Sequence, residues 1–252
     1  MLNVENMTVR YGENTIVKAI SFDVFEGQWL MLVGPNGAGK STIVNAIAQG
    51  VPYSGNVTFG GKDVRRMKPS EFAKNCGILT QTHNVNYSFT VEEIIRLGRY
   101  SYSGGLFAKS SSNDDKAVED AARLTGMLSL MQQSVLTLSG GELQRTFLAQ
   151  LFAQNPRLLI LDEPSNHLDL VYQRQIFELT REWLAHSGRA VISVVHDLSL
   201  AKKYGTHALL LHNGRIEAFD TADKVLTRAN LNTVYSMDVY AWMQSQITIW
   251  KD

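Results

Sequence analysis

A chain of 252 residues, 44% hydrophobic and 19% charged, carries ample apolar material for a core, which excludes a disordered tail, a collagen-like fibre and a disulfide-stapled miniature. Twenty-four basic residues balance 24 acidic ones, so the net charge gives no support for broad binding to nucleic acid. The single cysteine, Cys76, excludes an internal disulfide and fits a reducing compartment.

The N-terminus lacks the basic-then-apolar order of a secretory signal, and no apolar run approaches the roughly 18 residues that span a bilayer. A soluble chain on the cytoplasmic side is expected. Strands come first: residues 8–11 and 20–24 are β-rich and are broken at Gly12-Glu13-Asn14 and Glu26-Gly27. Residues 29–33 are continuously apolar, as in a strand buried on both faces. They run into Gly34-Pro35-Asn36-Gly37-Ala38-Gly39-Lys40-Ser41-Thr42, after which Ile43, Val44, Ile47 and Ala48 recur at helical spacing. A hairpin is expected near residues 56–64. Helices dominate from about residue 84 to 156, with a capping box at Thr90 and Glu93 and a Ser/Gly-rich loop over 100–113. Buried strands are expected again at 158–161, 190–195 and 209–211, with a helix over about 171–186.

Two segments of this chain suit phosphate chemistry. Residues 34–41 match G-x-x-x-x-G-K-[ST], in which glycines let backbone N–H groups approach phosphate at a helix N-terminus. Lys40 would then reach the β- and γ-phosphates, and the Ser41 hydroxyl would ligate Mg²⁺. The strand at 158–161 delivers Asp162 and Glu163, a partner for Mg²⁺ and a candidate general base for water. Ser139-Gly140-Gly141-Glu142 is a capping box whose two glycines suggest a second helix terminus with bare backbone, so a site shared between two molecules is an open possibility.

With Leu138 these four residues resemble the LSGGQ-type signature of ABC transporter nucleotide-binding subunits, Glu142 standing where Gln is commonest. The resemblance covers nearly the whole chain. It implies an α/β P-loop NTPase with a RecA-like core, an N-terminal antiparallel β-subdomain and an inserted helical signature subdomain. One ABC ATPase domain would span 1–252, with its core over about 1–83 and 157–225, the helical subdomain over 84–156 and a short extension over 226–252. Tyr11 then matches the aromatic that stacks on adenine, and Gln81 the residue that touches Mg²⁺ or water and senses the membrane partner. Asp169 lies in the segment that crosses to the other subunit, and His196 matches the switch histidine at the γ-phosphate.

The same resemblance implies ATP and Mg²⁺ as ligands and a homodimer that sandwiches two ATP molecules. Further implied partners are an integral-membrane permease and, indirectly, a solute-binding protein; no nucleic acid is implied. Phe89-Thr90-Val91-Glu92-Glu93, the run 97–100 and the C-terminal residues 225–239 are similar to ATPases serving iron–siderophore, haem and cobalamin importers. A zinc/manganese importer, an exporter or a non-transport ABC ATPase are the alternatives. Val85, Tyr87, Phe89, Tyr100, Tyr102, Leu106 and Phe107 are expected to form a groove for a short cytoplasmic helix of the permease.

Overall fold

The computed structural model describes residues 1–80, 88–102, 111–166 and 168–249. The chain forms two compact units, Met1–Arg65 with Val194–Asp252, and Arg66–Ser193.

In the first unit, β1 (Leu2–Tyr11) and β2 (Asn14–Val24) form an antiparallel hairpin. Its inward positions Leu2, Val4, Met7, Val9, Val17, Ile20 and Phe22 are buried, an alternation interrupted by register shifts between Val4 and Met7 and between Met7 and Val9, with Asn6 and Ala19 at positive φ. Strand β3 (Trp29–Val33) is buried at every position and leads through residues 34–39 into helix α1 (Lys40–Ile47). Strands β4 (Ser54–Phe59) and β5 (Lys62–Asp63) complete an antiparallel sheet of order β2-β1-β4-β5.

The second unit opens with α2 (Pro69–Asn75) and β6 (Cys76–Leu79), followed by α3 (Val91–Leu97), α4 (Ser112–Leu124) and α5 (Gly140–Gln154). Then come β7 (Leu158–Asp162), α6 (Leu170–Leu184) and β8 (Ala190–Val194). The strand order is β8-β7-β6, and β6 runs parallel to β7. Every residue of β7 and β8 is buried, as continuous apolar runs require. Three helices start on reciprocal capping boxes: Thr90 with Glu93, Ser111 with Asp114, and Ser139 with Glu142. Each satisfies two otherwise orphaned N–H groups. The helices pack tightly enough that a Cβ on Gly98 would lie 2.1 Å from the Gln150 carbonyl oxygen. Phe152 of α5 stacks on Trp183 of α6 with centroids 6.1 Å apart.

The chain then returns to the first unit with α7 (Leu198–Tyr204), β9 (His207–His212), β10 (Arg215–Thr221), α8 (Ala222–Val225), α9 (Arg228–Tyr235) and α10 (Val239–Thr248). Strand β9 runs parallel to β3 and antiparallel to β10. None of the helices α2, α7, α9 or α10 is announced by a strong amphipathic repeat. They are short segments that bury few residues each, among them Ala201 of α7 and Leu231 and Val234 of α9.

Candidate functional site

Residues 34–39 turn sharply between β3 and α1 because three glycines take left-handed conformations: Gly34 at φ 145°, Gly37 at 77° and Gly39 at 106°. Only Gly34 must be small for contact reasons, since a Cβ there would lie 2.3 Å from the Leu211 carbonyl oxygen of β9. The loop is cross-linked from within. The Lys40 ammonium, 5% exposed, donates to the carbonyl oxygens of Gly34 at 2.7 Å and Pro35 at 3.0 Å. No side chain caps α1 and no acidic residue occupies its first turn, so the positive end of the helix faces the loop undiluted. A buried cation, backbone that can come close and an uncapped helix start suit a polyphosphate.

Two further predicted residues belong to this unit. Val195 donates its N–H to the Leu32 carbonyl of β3 at 3.2 Å, which sets His196, exposed, at the end of β3 where the loop begins. Tyr11 closes the β1–β2 hairpin opposite Asn14 and is 48% exposed, an aromatic face open to solvent. Ile16 and Val17 of the same hairpin lie beneath Gly39, where a Cβ would meet them at 3.3–3.6 Å.

In the second unit, Asp162 ends β7 with 7% exposure. Glu163 follows at φ 53°, a left-handed conformation that a non-glycine residue keeps only where its surroundings enforce it. Asn166 supplies two bonds to it: its backbone N–H bonds the Glu163 carbonyl at 3.1 Å, and its side-chain amide donates to the Glu163 carboxylate. Gln144 of α5 donates to the Pro164 carbonyl at 3.3 Å, and Gln173 of α6 to the carbonyls of Ser165 and Leu168. Asp169 caps α6 by accepting from Tyr172 N–H at 3.0 Å.

The start of α5 adjoins this loop. The Glu142 carboxylate accepts from the Ser139 hydroxyl at 2.7 Å and from its N–H at 2.8 Å. Together with the Arg145 charge, these bonds hold the Glu142 carboxyl below its ordinary value. A Cβ on Gly141 would lie 2.5 Å from the Tyr172 ring, whereas one on Gly140 would meet nothing within 4 Å. Gly140 therefore bares backbone to the outside, as the glycine pair suggests, while Gly141 is needed for packing against α6.

Tyr102 donates its hydroxyl to the Gln154 carbonyl at 3.0 Å and lies under Arg99, 3.8 Å from its ring centroid. Its ring is still 37% exposed. Phe89, Leu97 and Tyr100 are exposed by 41%, 52% and 60%. Gln81, Val85, Tyr87, Leu106, Phe107 and His167 lie outside the described residues.

Three residues without an individually assigned role touch the predicted ones: Asn166, within the segment 165–169 that resembles the one crossing to the other subunit, Tyr235, within the C-terminal run 225–239, and Tyr172, which no motif singles out. The Gly34 N–H bonds the Tyr235 hydroxyl of α9, while burial raises that phenol above its ordinary pKa. The signal in sequence for Asn166 is its position three residues after Glu163, the reach of an Asx-type turn. The partners of Tyr172 and Tyr235 are distant in sequence and carry no such signal.

A family model described as "ABC transporter" matches residues 17–166. The chain is 37% identical over 245 residues to "Hemin import ATP-binding protein HmuV" of Pseudomonas entomophila, covering 95% of this chain and 94% of that protein. It is 35% identical over 241 residues to "Uncharacterized ABC transporter ATP-binding protein YvrA" of Bacillus subtilis, covering 95% of this chain but 54% of that longer protein. Among solved structures it superposes on "An inward-facing conformation of a putative metal-chelate type ABC transporter" with a TM-score of 0.82 and 24% identity, covering 94% of this chain and 89% of that one.

Proposed function

The chain belongs to the ABC transporter family, whose ATP-binding subunits are ATPases, and we propose that it powers import of a metal chelate, an iron–siderophore, haem or cobalamin, through a separate membrane permease. The observation that carries the choice of solute class is the 37% identity, over 95% of the chain, to a protein named for hemin import.

In this reading residues 34–42 wrap the phosphates, Lys40 turns from the Gly34 and Pro35 carbonyls toward the β- and γ-phosphates, and Tyr11 stacks on adenine. Ser41, Asp162 and Gln81 would supply oxygen ligands to Mg²⁺, which when bound would neutralise charge on the phosphate oxygens. Glu163 takes a proton from the attacking water as its oxygen bonds to the γ-phosphorus. The bond to the β–γ bridging oxygen breaks, its electrons leave with ADP, and the proton passes on to solvent. His196 contacts the γ-phosphate. Two copies close over two ATP molecules, each copy presenting Ser139, Gly140, Gly141 and Glu142 to the other's ATP, with Asp169 crossing between them. The whole chain acts as one cassette, with the helical region at 84–156 docking a permease helix over Phe89, Leu97 and Tyr100 at the inner face of the membrane.

Proteoliposomes containing this chain and its co-purified permease test the solute class. ATP-dependent uptake of haem or a ferric siderophore, abolished by Lys40→Ala, is expected. Robust ATPase activity with uptake of zinc or manganese alone would contradict it.

A further inference from the structure

We propose that Tyr172 is a positioning residue for the signature: its ring seats the start of α5 against the start of α6, so that Ser139–Glu142 and Asp169 reach the other copy's ATP as one surface. This deepens the reading in which two copies share each ATP, and it rests on that reading.

Helices α5 and α6 touch at both ends. Phe152 and Trp183 stack with centroids 6.1 Å apart and planes inclined by 4°. About three turns nearer the two helix starts, Gly141 of α5 faces the Tyr172 ring of α6. A Cβ on Gly141 would lie 2.5 to 2.6 Å from Cγ, Cδ1 and Cδ2 of that ring, so the signature backbone rests directly on the aromatic carbons. The Arg145 guanidinium, on the same side of α5 one turn on, lies 5.5 Å from the ring centroid. The ring therefore meets two successive turns of α5. On the α6 side, the Tyr172 N–H donates to the Asp169 carboxylate at 3.0 Å. One residue thus touches a signature glycine with its side chain and the expected crossing residue with its backbone. Close-packed contacts transmit displacement, because neither backbone can approach further without steep repulsion. Two contacts carried on one surface also cost less entropy to form than two that must be ordered separately. The alternative physical reading is space filling, in which the ring supports the fold and nothing else. Its position favours the first reading, since both segments it joins are ones that would serve the other copy.

The test uses the full-length chain. ATP affinity, kcat and melting temperature are measured for each Tyr172 variant, and ATP-driven dimerisation is measured by sedimentation in a Glu163→Gln background. Tyr172→Ala is expected to leave the ATP dissociation constant of the separated chain within about twofold, since no residue of its own phosphate loop has moved. Dimerisation should weaken by about tenfold as the paired contacts lose their preorganisation. The kcat should fall by about 10- to 100-fold, up to the loss that a ~1 Å misplacement brings. Tyr172→Phe keeps the ring and should match the unaltered chain throughout. Should Tyr172→Ala fold poorly, Tyr172→Leu keeps apolar bulk without the flat ring and should show the same pattern. A lower melting temperature with kcat and dimerisation of the folded chain unchanged would overturn the proposal in favour of space filling. A loss of ATP affinity that accounts for the loss of kcat would overturn it too, because the effect would then lie at the chain's own phosphate loop. If Glu163→Gln with Tyr172 intact forms no ATP-driven dimer, the shared-site reading falls and the proposal falls with it, a result distinct from any produced by a Tyr172 variant.

Discussion

The Tyr235 hydroxyl of α9 accepts the backbone N–H of Gly34, the first residue of the phosphate loop, so the C-terminal helices are bonded to the segment that would hold ATP. The same glycine gives its carbonyl to Lys40 and lies against Leu211. Helix α9 is itself well anchored: Leu231 and Val234 are buried, Asn230 donates to the Val225 carbonyl, and Arg228 pairs with Asp238.

Tyr235→Phe removes one hydroxyl and keeps the ring. One lost hydrogen bond is worth about 0.5–1.5 kcal/mol, so ATP affinity measured calorimetrically should weaken by roughly two- to tenfold. Unchanged affinity would show that the bond does not hold the loop in its binding conformation.

The two glycines of the signature should respond oppositely to alanine. Gly141→Ala places a Cβ 2.5 Å from the Tyr172 ring and is expected to destabilise the protein by about 1–3 kcal/mol in urea unfolding. Gly140→Ala meets nothing within 4 Å and gains helix propensity, so its stability should be unchanged or higher by up to about 1 kcal/mol. Equal effects would contradict the packing described.

The depressed Glu142 carboxyl makes a pH prediction. Its folded pKa lies below the ordinary 4.5, so the unfolded chain binds more protons as pH falls. The stability from this capping box is therefore present above about pH 4.5 and is lost as pH falls through the lowered folded value. Ser139→Ala should cost about 1 kcal/mol at pH 7, the usual worth of a cap, and less at pH 3. A cost that grows on acidification would reverse the sign and refute the bond network.

Much of the site is legible locally. The apolar run 29–33, the glycine loop and Lys40 lie within a dozen or so residues, and each element's physics is complete in that span. Capping boxes are also local, and those at Thr90 and Ser139 can be read directly. Contacts between distant segments are not legible. Gly141 reads as backbone bared for a ligand until Tyr172 is seen against it, and nothing near Tyr102 in sequence announces its bond to the Gln154 carbonyl. Asn166 falls between these cases: its spacing from Glu163 permits the bond, but only the left-handed turn at Glu163 makes it.

The claim that this chain hydrolyses ATP with Glu163 as base is tested most directly by single-turnover hydrolysis in purified Glu163→Gln. Turnover should fall by about two to four orders of magnitude while ATP binding persists. Closed dimers loaded with ATP should accumulate. Hydrolysis at the unmutated rate, with ATP bound equally well, would contradict the account.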